Sequence, residues 1–412
     1  RQLSRSFNQM LERLNNAFSA QRQFTGNAAH ELRTPLALMQ AQLELFSAEH
    51  PDILPETAAF LSLLFVSCGT ADVHKTEVSI VGEEFYINGK PTFEGKTWRG
   101  MKIQGLLPNA RLVNGIFDDK TDSTRYKWAY PDTKVWDAER NTREFVENMS
   151  VWREKGLLAF TINLQGGSPE GYSETQPWHN SAILSDGSLD EEYMKRLKLI
   201  LDKADELEMV VILGLFYVGQ EKFLNSAEAA RNGIKNAVEW VLKSGYKNVL
   251  LEVNNECDFF KLDGLSPETV HESIEYAKTI THHGRRLLVS TSYAGKIVPS
   301  DKVIAASDFV LLHGSGVWKP ERITLQVDSV RKSPAYTPKP VVYNEDDHFK
   351  FDKEVNNFVK ATEAYASWGY FDFRKKDEPY EQGFQCIPAD WSINSERKKG
   401  FFRLLTEWKN AK

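Results

Sequence analysis

Three cysteines in 412 residues, Cys68, Cys257 and Cys386, are too few and too scattered for a disulfide framework, and they follow no metal-ligand spacing. No apolar run reaches the roughly 20 residues that a bilayer-spanning helix needs; the longest, AAFLSLLFVSC from Ala58 to Cys68, falls well short. A basic stripe is also lacking. Lys and Arg number 51 against 57 Asp and Glu, for a net charge of -6, and the cations are spread along the chain, which disfavours a nucleic-acid partner. What is present is ordinary globular material. Hydrophobic residues make up 41% and charged residues 26% of the chain, enough for one large domain and something smaller rather than for disorder.

The first stretch has helical periodicity, with Leu3, Phe7, Met10, Leu11 and Leu14 along one stripe that needs a partner to bury it. Within this stretch AAHELRTPL, Ala28 to Leu36, resembles the phosphoacceptor box of bacterial sensor histidine kinases, whose hairpin helices dimerise into a four-helix bundle. The resemblance implies a phosphoacceptor imidazole at His30, held in one tautomer by Glu31, with Pro35 bending the helix. A zinc protease motif fails, because HExxH needs a second His where Thr34 stands. The resemblance ends after about 60 residues, and no glycine-rich nucleotide box follows, so His30 is left without a phosphate donor in the same chain.

Next, LLFVSCGTADVHKTE, Leu63 to Glu77, resembles the end of a bacterial lipoprotein signal, with Ser67 before Cys68 as the lipidated residue and a polar tether after it. Phe65 stands where Leu is usual, and a plain helix end with a linker accounts for the same residues. The expected organisation is a kinase-like helical fragment over 1–64, a junction over 65–77 and a large domain over 78–412, as if two unrelated genes met near Leu64. The lipoprotein resemblance implies a cell-envelope location, periplasmic or lipid-anchored, with membrane contact only through that anchor; the kinase resemblance implies the inner membrane and helices that dimerise.

From Val78 to Phe93 short alternating stretches predict a hairpin turning at Asn88-Gly89, capping the domain behind it. Eight apolar strand-like runs then alternate with helices: 111–117, 157–163, 209–217, 248–253, 286–292, 308–313, 340–345 and 369–373. This predicts an α/β fold, a (β/α)₈ barrel, whose chemistry sits where strands end and the following loops begin. An open doubly wound sheet is the rival, but no GxGxxG-type loop follows the first strand.

Strand four, NVLLEV, delivers Asn254, Asn255 and Glu256 to that mouth, and strand seven repeats the pattern with Asn344 and Glu345. The pair resembles the clan of retaining glycoside hydrolases built on (β/α)₈ barrels. That resemblance implies Glu345 as nucleophile, Glu256 as acid/base with a pKa raised by burial and repulsion, and Asn255 as donor to the sugar 2-hydroxyl. It implies a carbohydrate substrate and no cofactor. Asp346 and Asp347 stand where the clan often has Gly and compete as carboxylates. Asp118 and Asp119, ending the first predicted run, are placed to bind a sugar hydroxyl or a cation; with no His-rich spacing beside them, a metal site is not expected. His313, ending strand six, resembles a clan position touching nucleophile or sugar, and His348 is a weaker candidate. Sugar rings stack on aromatic platforms, so Trp178, Tyr217, Tyr293, Trp318 and Trp391, all on predicted mouth loops, are candidate substrate contacts. The long second loop, residues 165–181, is expected to form a cleft wall or lid. A barrel that binds carbohydrate without cleaving it stays open as an alternative.

Overall fold

The computed structural model describes residues 74–412 apart from Glu174. The chain divides into two units, Arg1–Val73 and His74–Lys412, and both His30 and Cys68 lie outside the described residues. Among the described residues no helix is long and apolar enough to cross a membrane.

Eight short parallel strands build the second unit, as the alternation of apolar runs and helices predicts. In order they are Asn109–Arg111, Ala159–Asn163, Val210–Phe216, Val249–Asn254, Leu288–Ser290, Val310–His313, Val341–Glu345 and Gly369–Tyr370. They are buried almost throughout, because helices cover the outer faces. One sheet holds strands five, four, three, two, one and eight in that order. Strand seven pairs with six, and the bridges Val342–Ser367 and Asp346–Tyr370 join seven to eight. The Asp308 amide donates to the Val289 carbonyl at 2.9 Å, tying six to five. The ring is thereby closed.

The returning helices begin where the sequence provides a capping side chain. Asp137, Asp190, Ser226, Asn356 and Ser395 each accept from a backbone N–H in the first turn, a contact whose loss costs about 1 kcal/mol.

The first strand departs from expectation. It ends at Arg111 instead of running to Phe117, and Val113–Ile116 form a 3-10 turn. Side chains of the following helix pull the chain out of the ladder: Asn141 Nδ2 donates to the Asn114 carbonyl at 2.9 Å, and Thr142 Oγ1 to that of Gly115 at 2.8 Å. Gly115 permits the close approach, since a Cβ there would meet the Phe145 ring at 2.6 Å. The strand mouth therefore carries Arg111, and Asp118 and Asp119 lie beyond it.

The predicted hairpin is a three-stranded sheet, Val78–Val81, Glu84–Ile87 and Lys90–Pro91, with Asn88 and Gly89 turning between the last two at φ 54° and 75°. Val78 and Phe85 pack with Val210, Leu250, Leu311 and Val342 inside the barrel, so the sheet plugs the end opposite the strand mouths. Thr76 anchors the entering chain there, its amide donating to Asp205 Oδ1 at 2.7 Å. A cavity of about 460 Å³ lined by Asn88, Arg153, Glu208 and Lys409 opens at this plugged end, away from the strand mouths.

Candidate active site

Strand four delivers its carboxylate through a pinned turn. The Asn255 amide donates to the Phe216 carbonyl on strand three and the Cys257 amide to that of Ser292 after strand five, both at 2.9 Å. Between them Glu256 adopts φ 55°, ψ 61°, a left-handed conformation costly for a residue with a Cβ. The surrounding bonds hold it there, and the side chain is aimed at His313. The His313 Nδ1 lies 3.1 Å from Glu256 Oε1 and 3.7 Å from Glu345 Oε2. Nitrogen and both carboxylate oxygens fall within 4.8 Å of one another. The glutamates predicted from strands four and seven thus converge.

Glu345 is held on two further sides. Arg111 Nε approaches its Oε2 at 2.9 Å, and Ser315 Oγ donates to Oε1 at 3.0 Å. Arg111 also donates from its second terminal nitrogen to Asn255 Oδ1 at 2.6 Å, and its first lies 3.6 Å from Glu252 Oε2. Glu252, fully buried in strand four, accepts from Ser292 Oγ at 2.6 Å and from Asn344 Nδ2 at 3.2 Å. One buried guanidinium therefore serves two carboxylates and the carboxamide of Asn255. Removal of either sign there would leave an uncompensated buried charge.

Titration departs from the expectation for Glu256. Burial pushes its carboxyl up, but the hydrogen bond from His313, the imidazole charge and Arg111 together outweigh burial and hold it below the usual carboxylate range. Glu345 is the raised member: burial lifts its carboxyl, His313 and Arg111 offset part of this, and the Glu256 charge adds to it. Burial depresses the imidazole of His313, yet the charges of Glu345 and Glu256 more than compensate, so it is raised. The imidazole thus holds both carboxyls down. His313→Asn is expected to raise both, because the cation that stabilises their ionised forms is gone. The acid limb of a pH–rate profile reflects the carboxyl that must be ionised and the alkaline limb the one that must carry the proton, so both limbs should move to higher pH. Limbs that stay in place would show that His313 does not set the charge of the pair.

The other predicted residues separate into groups. Tyr217 follows strand three at the mouth, its amide donating to Gln165 Oε1 at 3.0 Å; burial, followed by the charges of Glu256 and Glu345, raises its phenol. Trp318 is 72% exposed and stands edge-on to His348 at 4.9 Å. Trp178, Trp391 and Tyr293 are core residues instead of open platforms. Trp178 packs edge-on against Trp128, Trp391 stacks on Phe384, and the Tyr293 hydroxyl turns to Ser300 Oγ at 3.3 Å. Asp118 is occupied by Trp136 Nε1 at 3.1 Å and faces Arg125 and Arg196. Asp119 accepts from Thr121, Thr124, Trp128 and His179, so both are structural acceptors, away from the glutamates. Asp346 is saturated in the same way by His348, Asn357 and Trp368, which leaves it no free lone pair to compete with Glu345. Asp347 lies beside it, its carboxyl raised by burial.

Arg111, Ser315 and Glu252 are site residues that the strand pattern does not reveal. Arg111 was concealed by the overlong first strand. Glu252 alternates with apolar neighbours inside NVLLEV and carried a signal, since an ionisable group in a strand covered on both faces requires a buried partner.

Comparison with known proteins divides along the same line as the fold. Residues 20–64 match the His Kinase A (phospho-acceptor) domain. Over 45 residues the chain is 56% identical to Sensor protein CutS of Streptomyces coelicolor, 11% of either protein. Over 58 residues it is 40% identical to the histidine-protein kinase ArlS of Staphylococcus aureus, 13% of either. The chain thus spans little more than a tenth of these relatives. Among solved structures, a Bacteroides vulgatus protein described as a candidate glycoside hydrolase superposes with TM-score 0.50 at 13% identity, covering 82% of this chain and 62% of the other. That likeness supports the barrel fold.

Proposed function

We propose that residues 74–412 form a glycoside hydrolase that cleaves by double displacement, with Glu345 as nucleophile and Glu256 as acid/base. The observation that carries this reading is the convergence of the two glutamates from strands four and seven, with carboxylate oxygens within 4.8 Å, on one imidazole. Retaining enzymes hold their carboxyl groups about 5–5.5 Å apart, close enough for one to attack the anomeric carbon while the other protonates the leaving oxygen. Inverting enzymes need a wider gap for a water. The Bacteroides vulgatus neighbour, itself described as a candidate glycoside hydrolase, supports the same class.

The roles require the proton on Glu256 and the charge on Glu345. In the resting site the preference runs the other way, because His313 bonds to Glu256. An oxocarbenium-like centre developing beside Glu345 favours its ionised form, so a proton shared by the pair moves to Glu256, which passes it to the departing oxygen. Arg111 and Ser315 hold Glu345 in line meanwhile. Asn255, fixed by Arg111, is the proposed donor to the sugar 2-hydroxyl.

A chain beginning at Val73 is expected to melt cooperatively and to hydrolyse members of a panel of aryl mono- and oligosaccharides, since Thr76 and the hairpin already close its entry. Hydrolysis of none would remove the glycosidase reading. For the first unit, the match over 20–64 favours a second reading, His30 as a phosphoacceptor served by a donor in another chain. An envelope location through Cys68 remains part of the proposal.

A further inference from the structure

Resting on the glycosidase reading, we infer that the cleft is blind on the glycone side, and that the protein removes terminal sugars instead of cutting within a glycan. Orientation follows from the roles. Glu256 protonates the leaving oxygen, so the aglycone lies over strands four to six, and the glycone extends away from it toward strands seven, eight, one and two.

That second arc is walled. Tyr172, in the loop after strand two, is 56% exposed and directs its hydroxyl to Asp347 Oδ2 after strand seven at 3.4 Å. The contact therefore spans the arc holding strands eight and one. Its ring packs on Phe373 at 4.9 Å and Phe371 at 5.8 Å, both following strand eight. The two loops are braced to each other as well. Gln385 Nε2 donates to the Ser168 carbonyl at 2.9 Å, and the Ile387 amide to that of Pro169 at 3.0 Å. Gly171 lies so close to Phe373 that a Cβ there would stand 2.9 Å from the ring. A wall bonded at several points along two loops resists displacement by a second glycone sugar.

The opposite arc exposes apolar side chains. Phe259, Ile297 and Trp318, on the loops after strands four, five and six, are 55%, 39% and 72% exposed. Such faces suit the apolar side of an aglycone sugar or an aryl group. The substrate class is thus the non-reducing terminal residue of a glycan or glycoside, and Tyr172 determines specificity by excluding the next sugar.

The test uses oligosaccharides labelled at the reducing end, of whichever sugar the aryl panel identifies, with the full chain. The wild type is expected to shorten the labelled ladder by one sugar at a time, releasing only monosaccharide. Tyr172→Ala, at a half-exposed loop position, is expected to release disaccharide in addition. Early labelled products from internal bonds in the wild type would overturn this inference and leave the glycosidase reading standing. A Tyr172→Ala product pattern identical to wild type would remove Tyr172 from the role. Failure on every aryl glycoside would instead overturn the glycosidase reading itself.

Discussion

Glu345→Ala is expected to abolish turnover on every glycoside, activated or not, by roughly 10⁴-fold or more, the scale on which loss of a covalent nucleophile acts. Without that carboxylate no glycosyl-enzyme forms, and a better leaving group does not compensate. The change also strips Arg111 Nε of its 2.9 Å partner, but the guanidinium keeps Asn255 and Glu252. A lowered melting temperature with retained folding is therefore expected, and Glu345→Gln, which keeps the side-chain shape, should be equally inactive. Residual activity near wild type in either folded variant would exclude Glu345 as nucleophile.

Glu256→Ala should fail differently. It removes proton donation and later water activation, worth about 10² to 10⁴-fold on substrates with poor leaving groups. Dinitrophenyl glycosides leave without a proton, so their first step should be spared and the glycosyl-enzyme should accumulate, visible as a burst. Added azide should then restore turnover by attacking that intermediate without a general base. The contrast between the variants is one of kind rather than size, which separates it from mere destabilisation. Equal losses on all leaving groups with no azide rescue would exclude the pair, and Asp347, the nearby carboxylate raised by burial, would be the next group to test. The resting titration makes this contrast informative, since Glu345 rather than Glu256 is the raised carboxyl before substrate enters.

Much of the arrangement was legible because barrel strands are covered on both faces and short. Apolar runs such as NVLLEV and PVVY identified strands four and seven, and whatever polar residue ended such a run had to stand at the mouth. His313 was readable for the same reason. The hairpin turn was readable from Asn88-Gly89, whose left-handed φ values few other residue pairs adopt without cost. The aromatics were not separable this way. Trp178 and Trp391 lie on loops just as Trp318 does, yet the first two pack on Trp128 and Phe384 and only Trp318 faces outward.

The sequence by itself determined the alternation of strand and helix, the closure into eight, and the delivery of Asn255, Glu256 and Glu345 to one end, because periodicity and burial act over a few neighbouring residues. Only the tertiary structure decided what surrounds those carboxylates. Arg111 meets Glu345 across 234 residues of chain, Tyr172 meets Asp347 across 175, and His313 with Arg111 opposes burial at both glutamates, outweighing it at Glu256 but not at Glu345. Such contacts depend on distances of 3 to 4 Å between groups from different strands, and the balance of desolvation against a nearby charge changes sign with the placement of one imidazole. Local pattern carries no information about that distance, so the identity of the pair was readable and its electrostatics were not.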